Sequence, residues 1–271
     1  MLQTTQLDAV TQYRMARTIF GRDLYNVAAY YVDGLLIDTG FHYLAEQFFQ
    51  AVQEKNVEQI VNTHFHEDHI GANYLFEQRR GLQAFAHPLA IPLIENPPAK
   101  LKIYRAVVWG VPAPAHPQVI GATLTTAKHS FQVLHLPGHS QDHLGLYEPM
   151  QGWLFSGDLF LSVKVRALRF DEDILATMHS LRRVIALPLR FLFCGSGKII
   201  EPPQELLKKK LRFYEDVQHR VAALHQKGWE PEKIRDAVLG KEGVWPWMSQ
   251  GEFSKLNLVK AFLSCRPPKS C

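Results

Sequence analysis

The sequence predicts an α+β fold: a β-rich region over roughly the first 200 of its 271 residues, with helices between the strands, then a helical tail. Two observations carry this. Short apolar runs recur through the first part, most of them ending at Gly, Pro, Ser or Asp, as strands do. Beyond Pro202-Pro203 the apolar spacing changes to the helical period and charge increases. The length suits one large domain or one domain with an appendage. The expected division is a domain over 10–201 and a helical extension over 202–271 packed on it.

Residues 26–38 place two apolar runs around Asp33-Gly34, a pair that favours the positive φ angles of a two-residue hairpin turn. The hairpin ends at Asp38-Thr39-Gly40. Leu44, Phe48 and Val52 share one face of a helix expected over 43–55. Gln59–Asn62 is a short buried strand running into Thr63-His64. A helix over 71–80 and a strand at Ala84-Phe85-Ala86 follow. Residues 88–120 carry Pro92, Pro97, Pro98, Pro112, Pro114 and Pro117 and form a long irregular excursion around a helical stretch at 99–109. Strands at 131–136, 144–147 and 153–155 lead to Pro137-Gly138-His139 after the first and Ser156-Gly157-Asp158 after the last. A helix over 174–186 precedes a strand at 191–194, which ends at Gly195-Ser196-Gly197. Helices over 204–226, 231–239 and 253–264 complete the tail.

Composition narrows the class. Hydrophobic residues make up 46% and charged residues 21%, which excludes disorder, collagen and a coiled-coil rod. The three cysteines, Cys194, Cys265 and Cys271, are too few for a disulfide framework and suit a reducing compartment. Net charge is +4 with Lys and Arg scattered, too weak a signal for a nucleic-acid partner. The N-terminus has no basic segment before an apolar run, and no apolar stretch is long enough to span a membrane. A cytoplasmic protein without a membrane partner is expected. Oligomeric state leaves no mark on the sequence.

The densest chemistry is His64-Phe65-His66-Glu67-Asp68-His69, three His and an Asp directly after a strand. Imidazole and carboxylate are the ligands of zinc and similar first-row metals. Such a loop can turn His64 and His66 toward one ion and Asp68 and His69 toward a neighbouring position. His139 and Asp158, at the ends of two other strands, are further candidate ligands on a rigid scaffold.

With Asp38-Thr39-Gly40, Pro137-Gly138-His139-Ser140, Ser156-Gly157-Asp158 and Gly195-Ser196-Gly197, this cluster resembles the metallo-β-lactamase superfamily in order and spacing over residues 20–200. The resemblance implies an αββα sandwich with a metal site at one edge between the sheets. It gives His64, His66 and His139 to metal one, Asp158 to a bridge, and Asp68 and His69 to metal two. It makes Asp38 a buried acid that orients ligands. One departure stands out. Family members with two metals carry a His inside the last glycine-flanked turn, where this chain has Ser196. Metal two would then keep Asp68, His69 and Asp158, and its site would be weaker, altered in preference, or empty. His143 and His179 are weak candidates for the missing ligand. His87, His116 and His129 fit solvent or packing roles better.

The expected activity is metal-dependent hydrolysis by a metal-bound hydroxide. The cofactor would be one or two zinc ions, with iron or manganese as alternatives. If metal two is absent, Asp68 is freed as a catalytic group that orients the nucleophile or moves a proton. The compact chain resembles the glyoxalase II and lactonase side of the superfamily more than the nuclease side. That implies a small-molecule acyl substrate, cleaved at a thioester, ester or lactone. Lys164 and Arg166 are candidates for holding an anionic substrate. Trp245-Pro246-Trp247-Met248, and Tyr104 and Trp109 from the excursion, are candidate walls, with 92–117 a candidate lid. Two competing readings are an iron-dependent persulfide dioxygenase-like oxidoreductase and a non-catalytic binding protein with a degenerate second metal site.

Overall fold

The computed structural model describes residues 1–264, so Cys265 and Cys271 lie outside the described residues. The first sheet has seven strands in sequence order: β1 (Leu2–Leu7), β2 (Val10–Ile19), β3 (Arg22–Val32), β4 (Leu35–Ile37), β5 (Gln59–Val61), β6 (Ala84–Ala86) and β7 (Gln118–Val119). It is antiparallel from β1 to β4 and parallel from β4 to β7. The second sheet holds β8 (Thr123–Thr125), β9 (Ser130–His135), β10 (Leu144–Glu148) and β11 (Trp153–Phe155). After β12 (Leu168–Arg169), which stands apart, β13 (Phe191–Phe193) and β14 (Ile199–Ile200) join it in the order β14-β13-β11-β10-β9-β8.

The helices are α1 (Ala45–Ala51), α2 (Asn73–Arg80), α3 (Ile91–Glu95), α4 (Ile103–Val108) and α5 (Ile174–Ile185), then α6 (Gln204–Gln226), α7 (Pro231–Leu239), α8 (Trp245–Met248) and α9 (Lys255–Ser264). Among the described residues none is long and apolar enough to cross a membrane. β15 (Phe253–Ser254) returns from the tail to pair with β12.

Alternation along the strands builds the layers, because successive side chains point to opposite faces. On β3, Ala28, Tyr30 and Val32 face the second sheet, while Val27 and Ala29 face Phe41, Phe48 and Phe76 around α1 and α2. On β11, Trp153 and Phe155 point between the sheets and Leu154 points outward to Met178 and Leu181 of α5. Phe155 and Phe193 stack at 4.6 Å in the middle layer. Leu207, Tyr214, Val217 and Leu258 extend the outer cluster, so the tail helices α6 and α9 pack on α5. The result is the expected α/β/β/α layering. The Asp33-Gly34 turn has φ of 46° and 84°, the all-positive pair that a two-residue hairpin needs.

The N-terminal ribbon departs from expectation. β1 pairs with β2 along its whole length, so the sheet starts before residue 10 and a boundary there would cut it. Its sequence hides it. β1 is a largely exposed edge strand, Leu-Gln-Thr-Thr-Gln-Leu. In β2 polar side chains are buried: Gln12 Nε2 donates to the Tyr30 hydroxyl at 3.2 Å and to the Gly197 carbonyl at 3.0 Å. The two-residue strands β7, β12, β14 and β15 are too short to show a period. The first helix is also shorter than the expected 43–55.

Candidate metal centre

The site lies where β4, β5 and β11 end, together with the loop between β9 and β10. The loop from 62 to 73 is held by its own backbone and side chains. Thr39 N donates to His69 O at 2.8 Å, Gly71 N to Gly40 O at 2.7 Å, and Thr39 Oγ1 to Asn73 Oδ1 at 2.8 Å. Asn73 Nδ2 donates to Asn62 Oδ1 at 2.7 Å. Gly71 is required, because any side chain there would fall into the Phe41 backbone. Phe65 N donates to Asp142 Oδ2 at 2.8 Å. A loop pinned this tightly holds its imidazoles in place before any ligand arrives.

Six of the expected residues come together. Ligand atoms of His64, His66 and His139 lie within 4.8 Å of one another, and so do those of His64, His69 and Asp158. The two groups share His64. His139 Nε2 and His66 Nδ1 are 3.0 Å apart. The Asp158 carboxylate faces both groups, Oδ1 lying 3.7 Å from His69 Nε2 and Oδ2 3.5 Å from His139 Nε2. Asp68 Oδ2 is 3.7 Å from His69 Nε2. The Nε2 atoms of His64 and His66 are buried and have no hydrogen-bond partner. Buried polar atoms are normally paired, so the orphaned His64 Nε2, on a ring whose Nδ1 lies 3.1 Å from Thr63 Oγ1, fits a metal, while His66 meets His139 through Nδ1. The donor set of imidazole and carboxylate suits zinc, iron or manganese.

Carboxylates orient the rings from behind. Asp38 Oδ2 lies 2.7 Å from His69 Nδ1 and accepts from Thr63 Oγ1 at 2.8 Å, while Oδ1 accepts from Thr63 N at 2.7 Å. Asp38 has φ of 61°, a left-handed conformation that Asp tolerates and that aims its side chain back into the loop. Glu172 does the same for His139, with Oε1 3.2 Å from Nδ1. His143 Nε2 accepts from Asp158 N at 3.0 Å, so this buried ring supports the Asp158 backbone and its Nε2 is already engaged. His179 is exposed on α5 and lies outside both histidine groups. His87 stacks on His135 at 4.5 Å, His116 meets Glu77 at 2.8 Å, and His129 packs on Trp153 at 5.1 Å.

The electrostatics follow from this burial. Burial holds His64 and His66 well below the usual imidazole range and lowers His143 to about 3. Burial also opposes charge on His69, but Asp38, Asp68 and Asp158 together outweigh it and raise it to about 10. Asp68 is pushed up to about 6, by burial first and then by Glu67 and Asp158. His139 is raised by Glu172 against its own burial.

Ser196 sits beside this centre with a buried Oγ that has no partner. The adjoining Gly195 packs directly on Asp158 and His69. Above the histidines opens a cavity of about 610 Å³. Tyr104 and Trp109 of the excursion, Arg166, and Trp245 of the tail line it, and Lys164 does not. Its roof is tied down by buried charge that sequence reading missed. Arg105 forks onto Glu67, with Nε donating to Oε1 at 2.5 Å and Nη2 to Oε2. Arg105 Nη1 also donates to Glu252 Oε1 at 3.2 Å, and Arg169 Nε lies 3.6 Å from the same oxygen. These partners are up to 147 residues apart, so no spacing rule finds them. Glu172 and Tyr25 were missed too, the first carrying no motif and the second lying inside a strand.

Comparison with known proteins agrees with this geometry. The family model of the metallo-beta-lactamase superfamily matches residues 22–196. A beta-lactamase-like protein 2 homolog of Drosophila melanogaster is 29% identical over 180 residues, 62% of this chain and 56% of that protein. A hydroxyacylglutathione hydrolase of Legionella pneumophila (strain Lens) is 31% identical over 148 residues, 54% of this chain and 51% of that enzyme. The chain thus spans about half the length of these curated relatives. Among solved structures, TTHA1623 in a di-iron-bound form is 30% identical with a TM-score of 0.55, covering 70% of this chain and 96% of that one. The chain belongs to the metallo-β-lactamase superfamily.

Proposed function

We propose that this chain is a metal-dependent hydrolase that cleaves a thioester or related acyl bond, such as an ester or lactone, of a small molecule. The observation that carries the reading is the convergence of ligand atoms of His64, His66 and His139 within 4.8 Å of one another, with the buried His64 Nε2 unpaired, beneath a cavity of small-molecule size. The hydrolase names of relatives at about 30% identity support it. His64, His66 and His139 would hold one ion. His69, Asp68 and Asp158 would hold a second, with Asp158 between them. A bound metal supplies Lewis acidity and a water of lowered pKa. The chain's own residues do the rest. With an ion bound, Asp38 and Glu172 would accept from Nδ1 of His69 and His139 and leave each Nε2 lone pair for the ion. If the second ion is absent, Asp68, which burial raises to about 6, would be freed to hold or release a proton on the floor of the cavity. The aromatic roof restricts water and orients the acyl group.

The test is metal content per chain by inductively coupled plasma mass spectrometry, for wild type and Ser196→His, with thioester and lactone hydrolysis measured on the same samples. Expected are bound metal, hydrolysis that chelation abolishes and metal restores, and a higher metal content in Ser196→His. Metal-free protein without hydrolysis in either form would overturn the proposal. A second reading, an iron-dependent oxidoreductase, rests on the di-iron form of TTHA1623. Iron as the resident metal, with oxygen uptake in place of hydrolysis, would select it.

A further inference from the structure

The metal-site motifs do not account for the upper part of the cavity. Its far wall is aromatic. The Tyr25 ring lies 5.5 Å from Trp109 and 5.9 Å from Trp245. These three come from β3, from the end of α4 and from α8, so three distant parts of the chain converge on one cleft. Aromatic rings gathered only for packing would be buried, yet Tyr25 is 42% and Trp245 43% exposed. Apolar area left open at a cavity wall gains free energy when a ligand covers it.

Charge supplies the second observation. Four cations line the cavity. Two are neutralised: Arg105 by Glu67 and Glu252, and Arg169 by Asp171 and Glu252. Arg166 and Lys198 have no carboxylate partner among the described residues, and Lys198 donates instead to the Leu161 carbonyl. The other carboxylates lining the cavity, Asp68 and Asp158, face His69 on the metal floor and not Arg166 or Lys198. The wall above the floor therefore carries two uncompensated positive charges beside an open aromatic cleft.

We propose that the cavity takes a small amphipathic acyl conjugate, with an aromatic or similarly bulky apolar group against Tyr25, Trp109 and Trp245 and an anionic group held by Arg166 and Lys198. Which bond is then broken rests on the hydrolase reading above; the two-point binding does not. A volume of about 610 Å³ has room for such a ligand. Arg166 is exposed, and a sulfonate, carboxylate or phosphate would give it a charge-assisted partner.

The test uses the metal-loaded full chain and two probes of one shape, 3-phenylpropane-1-sulfonate and neutral 3-phenylpropan-1-ol. Sulfonate is a poor metal ligand, so the probe reports on the wall. Affinities are measured by ligand-observed NMR titration, with thermal midpoints to confirm folding. The sulfonate is expected to bind about fivefold or more tightly than the alcohol. Arg166→Gln with Lys198→Gln brings the two to parity. Trp245→Ala weakens both about fivefold, and Trp245→Phe restores most of the loss. Parity in wild type, a preference that survives the double substitution, or no effect of Trp245→Ala would each overturn the proposal. Thioester turnover is followed in parallel. Binding without turnover removes the hydrolase reading and leaves the pocket standing. Turnover of an acetyl thioester with neither probe bound removes the pocket and leaves the hydrolase.

Discussion

Gly195→Ala is the sharpest probe of the centre, because the structure fixes what the added methyl meets. An ideal Cβ at Gly195 lies 3.0 Å from His69 Cε1 and overlaps Asp158 Oδ1 by roughly 1 Å relative to ordinary contact. The glycine cannot retreat. Its N–H donates to the Gly157 carbonyl at 2.8 Å, and its carbonyl accepts from Ala28 N at 2.7 Å. Asp158 must move instead, while its own N–H stays tied to His143 Nε2 at 3.0 Å. Metal–carboxylate bonds are about 2.0–2.2 Å long, so a shift of about 1 Å is half a bond length. A displacement of that size costs on the order of 100-fold in rate. Overpacking costs about 1–3 kcal/mol of stability, which a domain of ordinary stability survives.

The assay is metal content and kcat for thioester hydrolysis beside the urea unfolding midpoint. Gly81→Ala is the control, since Gly81 has φ of 66° and open space around it, so its alanine variant pays a backbone cost far from the site. Gly195→Ala should lose about 100-fold in kcat, and Gly81→Ala should lose stability alone. Full metal content and a kcat within about threefold of wild type in Gly195→Ala would refute the assignment of Asp158 to the metal centre.

Three further outcomes follow from buried charge. Glu252→Gln leaves Arg105 and Arg169 short of a carboxylate and should destabilise by about 3 kcal/mol in urea unfolding at constant m-value. In the apo protein, His69 is raised above its unfolded value near 6.5 to about 10, so its stabilisation is complete below pH 6.5 and lost as pH rises through 10. Asp38→Asn removes the carboxylate in contact with it, and its urea stability should fall less than that of the wild type over the same interval. Lys210, on the buried face of α6, is lowered by burial to about 8 from its usual 10.5. Its penalty is full below pH 8 and gone above 10.5, so Lys210→Met should stabilise by on the order of 2–3 kcal/mol at pH 7 and by nothing at pH 10.5, again by urea unfolding.

The layering and the histidines were legible in the sequence for one reason: both are local signals. His64, His66, Asp68 and His69 sit within six residues because a loop leaving one strand positions them together. Strand alternation on β3 and β11 reports the two faces of each sheet within a few residues. What was illegible is non-local or disguised. β2 carries buried polar groups that pair across to Tyr30 and Gly197, so its apolar signal is diluted. Glu172 looks like any surface acid before a helix until folding brings it to His139. Lys164 and Arg166 are two residues apart and alike in type, yet only Arg166 lines the cavity, because backbone direction decides and composition does not.

The same distinction separates chemistry from selectivity in this molecule. Among the described residues, the groups that can hold metal all fall inside the matched segment 22–196. The cavity roof draws on Trp245, Phe253 and Glu252, beyond that segment. One ion-pair chain joins the two parts. Glu252 reaches Arg105, which forks onto Glu67, and Glu67 stands between His66 and Asp68 in the metal loop. Glu67 and Glu252 are each only 3% exposed, so solvent does little to screen the connection. Loosening the tail at Glu252 leaves Arg105 a single carboxylate partner and loosens the residue that spaces two candidate ligands. The tail is thus coupled mechanically to the centre. A substitution at Glu252 should therefore alter metal retention as well as stability, although Glu252 itself belongs to neither candidate ligand group.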